Sequence, residues 1–354
     1  MGETLIEIVD AKIYFPVRGG MLHRRSGWVK AVDGVSLVVE EGDSLGLVGE
    51  SGSGKTTLVN GVTMLEPLTA GRISYRAQDL SRVGSRRRHQ LRSSCQIVFQ
   101  DPFWSLDPRW LVRDIVGEPL RVHQHLRGQA YQDAVVTALE MVGLDAHDLF
   151  KYPHEFAGGL RQRIAIARAL SIEPELIVLD EPTSAIDVIS QHQILLMLQS
   201  LKERLGLTFI LASHDLSVVS YLANKIAVMY GGRVLEYGAT EQVFAEPLHP
   251  YTRALFSSVP APENYGVESL ASLPGEVASA LNPPSGCRFH PRCSQAMEIC
   301  SHDEPPKLSA DGGHFAYCWL HNQAAQELVS CMTGNQLDDH RRVEREAGHV
   351  DDDG

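Results

Sequence analysis

The chain has 354 residues, of which 44% are hydrophobic and 21% charged. That composition suits two domains, or one large domain with an appendage, and excludes wholesale disorder and collagen-like structure. A net charge of −12 argues against nucleic acid as a partner. No apolar run reaches the roughly 20 residues of a membrane-spanning helix. The start, MGETLIEIVD, is acidic where a secretory leader is basic, so the expectation is a soluble intracellular protein. Six cysteines in this length do not form a secreted disulfide framework, and four of them crowd near the C-terminus.

In chain order, residues 1–45 alternate apolar and polar positions with β-branched side chains, which predicts strands and turns. The apolar stretch Leu45 to Val48 runs into a glycine-serine loop, and a helical pattern follows from Lys55 to about Leu65. Residues 82–94, RVGSRRRHQLRSS, are strongly basic. They read as a solvated face or a docking edge near lipid headgroups, ahead of the strand-like CQIVFQ. Helical periodicity occupies 110–150. A second alternation then predicts a helix at 161–172, a strand at 176–180, a helix at 190–205, a strand at 208–213, a helix at 215–223 and a strand at 225–229. Such alternation implies a parallel sheet covered on both faces. Prolines become dense across 246–285, which reads as a linker crossed by a short helix from Tyr251 to Ser258. A Cys-rich segment fills 286–320, and the tail at 335–354 has too little apolar content to fold. No internal repeat is present.

Two motifs carry chemistry. Gly49-Glu50-Ser51-Gly52-Ser53-Gly54-Lys55-Thr56 satisfies G-x-x-x-x-G-K-[ST]. Its glycines let successive N–H groups point at phosphate oxygens, and the following helix offers its positive end to the same anion. Lys55 would reach the β- and γ-phosphates, and the Thr56 hydroxyl would ligate Mg²⁺. The bland alternative is a glycine-rich turn before a helix, but the strand, loop and helix order is the one the mechanism requires. Further on, Leu176-Ile177-Val178-Leu179-Asp180-Glu181 reads as a buried strand ending in two acids. Asp180 suits the Mg²⁺ shell and Glu181 suits polarising an attacking water; the alternative is a solvated acidic turn.

With these placed, residues 1–245 resemble the ATP-binding subunits of ABC transporters, motif by motif and in order. Gln100 in QIVFQDP resembles the family's Q-loop. Phe156-Ala157-Gly158-Gly159-Leu160-Arg161-Gln162-Arg163 stands where the LSGGQ signature belongs. Ser184-Ala185-Ile186-Asp187 resembles the D-loop, and His214 in LASHD the switch histidine. A narrower resemblance, to the dipeptide/oligopeptide subfamily, is carried by FPVRGGMLHRRSGWVKAVDGVS, VFQDPFWSLDPRW, YPHEFAGG, HPYTRALFSSVP and PPSGCRFHPRC. The long insertion at 17–29 resembles the longer-armed member of the paired ATPases.

The resemblance implies an α/β fold: a P-loop NTPase core of ABC type with an antiparallel β subdomain, a helical subdomain at about 101–160 and a small Cys-rich C-terminal extension. It implies ATP bound by Gly49, Ser51, Gly52, Ser53, Gly54, Lys55, Thr56 and Thr57, with Phe15, or failing that Tyr14, stacked on adenine. Thr56, Gln100 and Asp180 would face Mg²⁺, with Glu181 and His214 catalytic. Ala157, Gly158 and Gly159 would contact the ATP of a second ATPase subunit in a head-to-tail dimer. The implied partners are that second subunit, read as a different chain, two transmembrane permease subunits and an extracytoplasmic solute-binding protein. The implied location is the cytoplasmic face of the membrane, as a peripheral subunit. Nickel, glutathione or a similar cargo remains an alternative to peptides, and so does a soluble, non-transport ABC-type ATPase. Ala157 and Leu160 depart from the family's serine and glutamine, which implies asymmetry between the two ATP sites.

Cys287, Cys293, Cys300 and Cys318 lie in a segment too poor in apolar residues to build its own core, so a metal centre is a natural substitute. Zinc sites normally show tight C-x₂₋₄-C pairs, which are absent here, and iron–sulfur clusters also use four cysteines. Zinc, a cluster and unligated thiols all stay open on spacing; the subfamily resemblance implies a [4Fe–4S] cluster.

Overall fold

Alternation in the first forty residues builds a long antiparallel hairpin in the computed structural model, which describes residues 2–19, 24–184, 186–257 and 275–321. Strands β1 (Thr4–Gly19) and β2 (Arg24–Glu40) pair along almost their whole length. With β4 (Ala70–Tyr75) and β5 (Gln78–Asp79) they form a sheet in the order β2-β1-β4-β5.

Among the described residues the second sheet has eight strands. Its parallel centre consists of β3 (Ser44–Val48), β6 (Cys95–Val98), β7 (Leu176–Asp180), β8 (Thr208–Ser213) and β9 (Lys225–Tyr230). Beside β9 run β10 (Arg233–Ala239), then β12 (Phe315–Tyr317) and β11 (Lys307–Ser309), all antiparallel. The order is β11-β12-β10-β9-β3-β8-β7-β6.

Near-continuous apolar strands reflect burial on both faces. Leu176 and Val178 of β7 pack with Leu45, Leu47, Ile210 and the first sheet, while Ile177 and Leu179 pack toward the helices with Phe209 and Leu211. Each such side chain contributes roughly 1.5–3 kcal/mol through burial. The helices are α1 (Lys55–Val62), α2 (Ser85–Ser94), α3 (Pro102–Ser105), α4 (Val112–Val116), α5 (Gly128–Met141), α6 (Gly158–Leu170), α7 (Val188–Leu205), α8 (Leu216–Leu222), α9 (Thr240–Ala245), α10 (Pro250–Ser257) and α11 (Ile299–His302). None of the described helices is long and apolar enough to cross a membrane.

Three features add to the reading of the sequence. The basic run at 82–94 contains a regular helix, α2, which buries only Leu91 and so shows no apolar period. The helical stretch at 110–150 is broken into α4, a π-helical turn at Leu120–Gln124, α5 and a 3₁₀ turn at Ala146–Phe150. Gly117, Pro119 and the left-handed Gly128 and Gly143 interrupt it. The Cys-rich segment is no free-standing appendage: β11 and β12 lengthen the main sheet, and Cys287, Phe289 and Cys300 belong to the main core. The tail at 335–354 and Cys331 lie outside the described residues, as do residues 258–274 of the proline-rich stretch.

Candidate functional site

The strands β3, β6, β7 and β8 all end on one edge of the parallel sheet, where ligands of such sheets bind. Buried β3 delivers Gly49 to that edge. Only glycine fits at two positions of the loop. At Gly49 (φ +150°) a Cβ would meet the Met229 carbonyl at 2.1 Å, and at Gly54 (φ +103°) the Ala31 carbonyl at 2.2 Å. Ser53 N–H donates to the Glu50 carbonyl (3.1 Å), and Gly232 N–H donates to the Ser53 carbonyl (2.9 Å). Ser51 and Gly52 form the exposed rim, and Thr57 is half-buried in the first turn of α1.

Lys55 is buried and folds back over the loop. Its Nζ donates to the carbonyls of Gly49 (2.7 Å) and Glu50 (3.1 Å) and to Ser53 Oγ (3.4 Å). Burial pulls the ammonium pKa down, and the carboxylates of Glu181, Asp180 and Glu50 oppose that shift. Thr56 Oγ1 donates to Asp180 Oδ1 at 3.1 Å. Burial pushes the Asp180 pKa up against that bond, and the neighbouring Glu181 charge pushes the same way.

Glu181 follows at the end of β7 with φ +46°, its N–H donating to the Ala212 carbonyl of β8 at 2.8 Å. Both of its carboxylate oxygens are engaged. Gln100 Nε2 donates to Oε2 at 2.8 Å, and His214 Nδ1 lies 2.9 Å from Oε1. Six side chains gather here: Thr56 is bonded to Asp180, Gln100 and His214 to Glu181, and the charges of Lys55, Asp180 and Glu181 link the two groups.

The other expected positions lie around this set. Phe15 pairs across from Val29 on the hairpin that carries Ala31 and is 36% exposed. The Tyr14 hydroxyl is instead committed to Asp33, and burial with that bond pushes its pKa up to about 12. Ala157 is the N-cap of α6 and supplies no side-chain cap; Gly158 and Gly159 are the first two residues of that helix. A Cβ on Gly159 would come 2.7 Å from Ser190. Ala185 of the D-loop falls outside the described residues.

The four clustered cysteines form no disulfide. Burial pushes Cys287 up to about 11 and Cys318 up to about 12; Cys287 also feels Cys293 and Cys300, and Cys318 feels all three other thiols. Among the described residues, however, no three His, Cys, Asp or Glu side chains stand close enough to hold one metal ion. The expected metal centre is therefore not preassembled around a single ion.

The ABC transporter family profile matches residues 32–184, and the oligopeptide/dipeptide transporter C-terminal region matches residues 235–300. The chain is 44% identical to the oligopeptide transport ATP-binding protein AppF of Bacillus subtilis, over 90% of this chain and 98% of the relative. It belongs to the ABC transporter ATPase family, in the oligopeptide/dipeptide branch. The dipeptide transport ATP-binding protein DppF of Escherichia coli is 40% identical over 91% of this chain and 96% of its own length. Among solved structures, a dimeric post-hydrolysis state of the ATP-binding cassette MJ0796 bound to ADP and Pi superposes with a TM-score of 0.60. It is 25% identical and covers 67% of this chain and 99% of its own. The cbiO1 subunit of Clostridium perfringens, part of the ABC transporter complex cbiONQ, gives a TM-score of 0.59 at 27% identity, covering 69% and 92%.

Sequence reasoning missed the side chains that brace this ATPase loop. Glu50 occupies a free position of the motif, yet its carboxylate is held by Arg292 and its N–H by the Tyr251 hydroxyl. Arg288 bonds the Gly231 carbonyl and Asp33. No local pattern could announce contacts that join residues 57 to 255 positions apart.

Proposed function

We propose that this chain hydrolyses ATP to drive import of di- or oligopeptides through a membrane ABC transporter. The carrying observation is the linked set at the strand ends, with a phosphate loop on one side and Glu181 held by Gln100 and His214 on the other. The names of the curated relatives supply the cargo class. Gly49, Ser51, Gly52, Ser53, Gly54, Lys55, Thr56 and Thr57 bind the phosphates, and Phe15 offers its ring to the adenine. Thr56, Asp180 and Gln100 would hold a Mg²⁺, since all three offer oxygen donors; when bound it would neutralise phosphate charge.

Glu181 orients the attacking water and accepts its proton. His214 contacts the γ-phosphate, and Gln100 passes the state of the site toward the permease. Each carboxylate oxygen of Glu181 has one neighbour and keeps a second lone pair with which to accept from water. Ala157, Gly158 and Gly159 serve the partner's nucleotide in a head-to-tail pair with a second, different ATPase subunit. Two permease subunits and an extracytoplasmic solute-binding protein complete the importer, with this chain peripheral on the cytoplasmic face. The domains run 1–245 for the ATPase, 246–285 for the linker and 286–320 for the Cys-rich extension. Cys287, Cys293, Cys300 and Cys318 suit a [4Fe–4S] cluster, since each thiolate would take a different iron and need not meet the others at one ion.

Glu181→Gln tests the central assignment. The variant should bind ATP as the native chain does, while turnover of the assembled transporter falls by at least about 100-fold, within the range of a lost acid–base group. Near-native turnover would remove Glu181 from the reaction.

A further inference from the structure

The phosphate loop carries a negative side chain where phosphate anions must bind. Glu50 follows the first glycine of the motif, and its backbone carbonyl already accepts from Lys55 and Ser53. Its carboxylate is one of three whose charge reaches the Lys55 ammonium. A bare carboxylate here would repel the nucleotide. The chain solves this from 242 residues away. Arg292, only 4% exposed, meets Glu50 as a fork, with Nη1 2.6 Å from Oε2 and Nη2 3.1 Å from Oε1. Bidentate pairs of this kind fix direction as well as charge.

The surroundings of Arg292 are built to hold it. Its guanidinium lies over the Tyr230 ring at 5.7 Å, and Nη1 also reaches the Tyr230 hydroxyl at 3.4 Å. Tyr230, Tyr251 and Phe289 form a buried aromatic triangle with centroids 4.8 to 5.3 Å apart. From that triangle the Tyr251 hydroxyl accepts the Glu50 N–H at 2.9 Å. The side chain and the backbone of Glu50 are therefore both tied to the C-terminal third of the chain.

We infer that Arg292 is a positioning residue for the phosphate loop: it neutralises Glu50 and turns it away from the phosphates, so that order in the cysteine-rich segment sets the affinity for ATP. This rests on the ATPase reading. Linkage makes the coupling reciprocal, so ATP must stabilise the segment by the same factor that the segment strengthens ATP.

The test uses the full chain, with Mg·ATP affinity measured at equilibrium and Lys55→Ala as a separate control. If Lys55→Ala leaves binding intact, the nucleotide site itself is misassigned, whatever Arg292 does. Arg292→Gln should weaken ATP about tenfold, a common size for coupling between sites, and should raise KM with little change in kcat. Adding Glu50→Gln should bring affinity back to within about threefold of native, because the repelling charge is gone; a merely structural role gives no such recovery. On the native chain, ATP should slow backbone hydrogen exchange across 286–300. If Arg292→Gln does not fold, Arg292→Lys carries the same comparison, with a loss of about threefold relieved by Glu50→Gln. ATP affinity within twofold of native in the Arg292 variant, no recovery in the double variant, or exchange unchanged by ATP would each overturn the inference.

Discussion

Glu181 holds a backbone conformation that a glutamate resists. Its φ of +46° lies in the left-handed region, and the Ala212 carbonyl pins its N–H there. Such a residue costs of order 1–3 kcal/mol, which the surrounding strands sustain. In return the carboxylate leaves the line of β7 and reaches Gln100 and His214. Glu181→Gly should separate the two consequences. Glycine adopts this φ freely, so the thermal midpoint should hold or rise, by up to about 1 kcal/mol of stability, while ATP turnover is lost. A midpoint several degrees lower would show that the carboxylate stabilises the fold and that the conformation is not strained. The identity of Glu181 was readable from the acidic pair after an apolar strand. Its backbone conformation was not, because left-handed φ in a non-glycine residue leaves no mark on composition.

Elements were legible in proportion to their local signal. The strands at 176–180 and 208–213 run over the expected residues because continuous apolar runs bounded by polar residues leave little choice of register. Helix α2 escaped notice because a surface helix with one buried side chain has no period to read. Helix α6 begins three residues before its expected start, since Gly158 and Gly159 argue locally against a helix while Ser190 packs against Gly159. That helix starts from Ala157 with no side-chain cap. Ala157→Ser supplies a hydroxyl where the N2 or N3 amide can donate to it, so the chain should gain about 0.5–2 kcal/mol of stability by denaturant unfolding. The same hydroxyl would strengthen contact with the partner's nucleotide, and turnover of the assembled transporter should rise only modestly. In the proposed head-to-tail pair, the site built on this chain's own Glu181 would be completed by the other subunit's signature and would not see the change. A large rise in turnover would mean that the signature of this chain limits the whole complex.

At the scale of the molecule, the C-terminal third is where sequence and structure part company. The cysteine segment was readable as poor in apolar residues, and this holds: Cys287, Phe289 and Cys300 sit in the core of the ATPase because the segment has none of its own. Its strand β12 pairs with β10, its Arg288 is buried against Asp33, and its Arg292 grips Glu50. These contacts join residues more than 70 positions apart, where neither periodicity nor spacing can indicate a partner. Removing the cysteine centre proposed above should therefore disturb the ATPase as a whole. Anaerobically isolated protein should contain iron and acid-labile sulfide near four each per chain, and Cys293→Ser should lose both. Since metal binding to such a segment is folding free energy, the variant should also unfold at a lower temperature, in one transition, because segment and ATPase share a core. Two separated transitions, with the upper one unmoved, would show that the segment folds apart from the sheet it extends. One equivalent of zinc and no sulfide would replace the cluster with a single ion, and would require the thiols to close in on each other from where they stand.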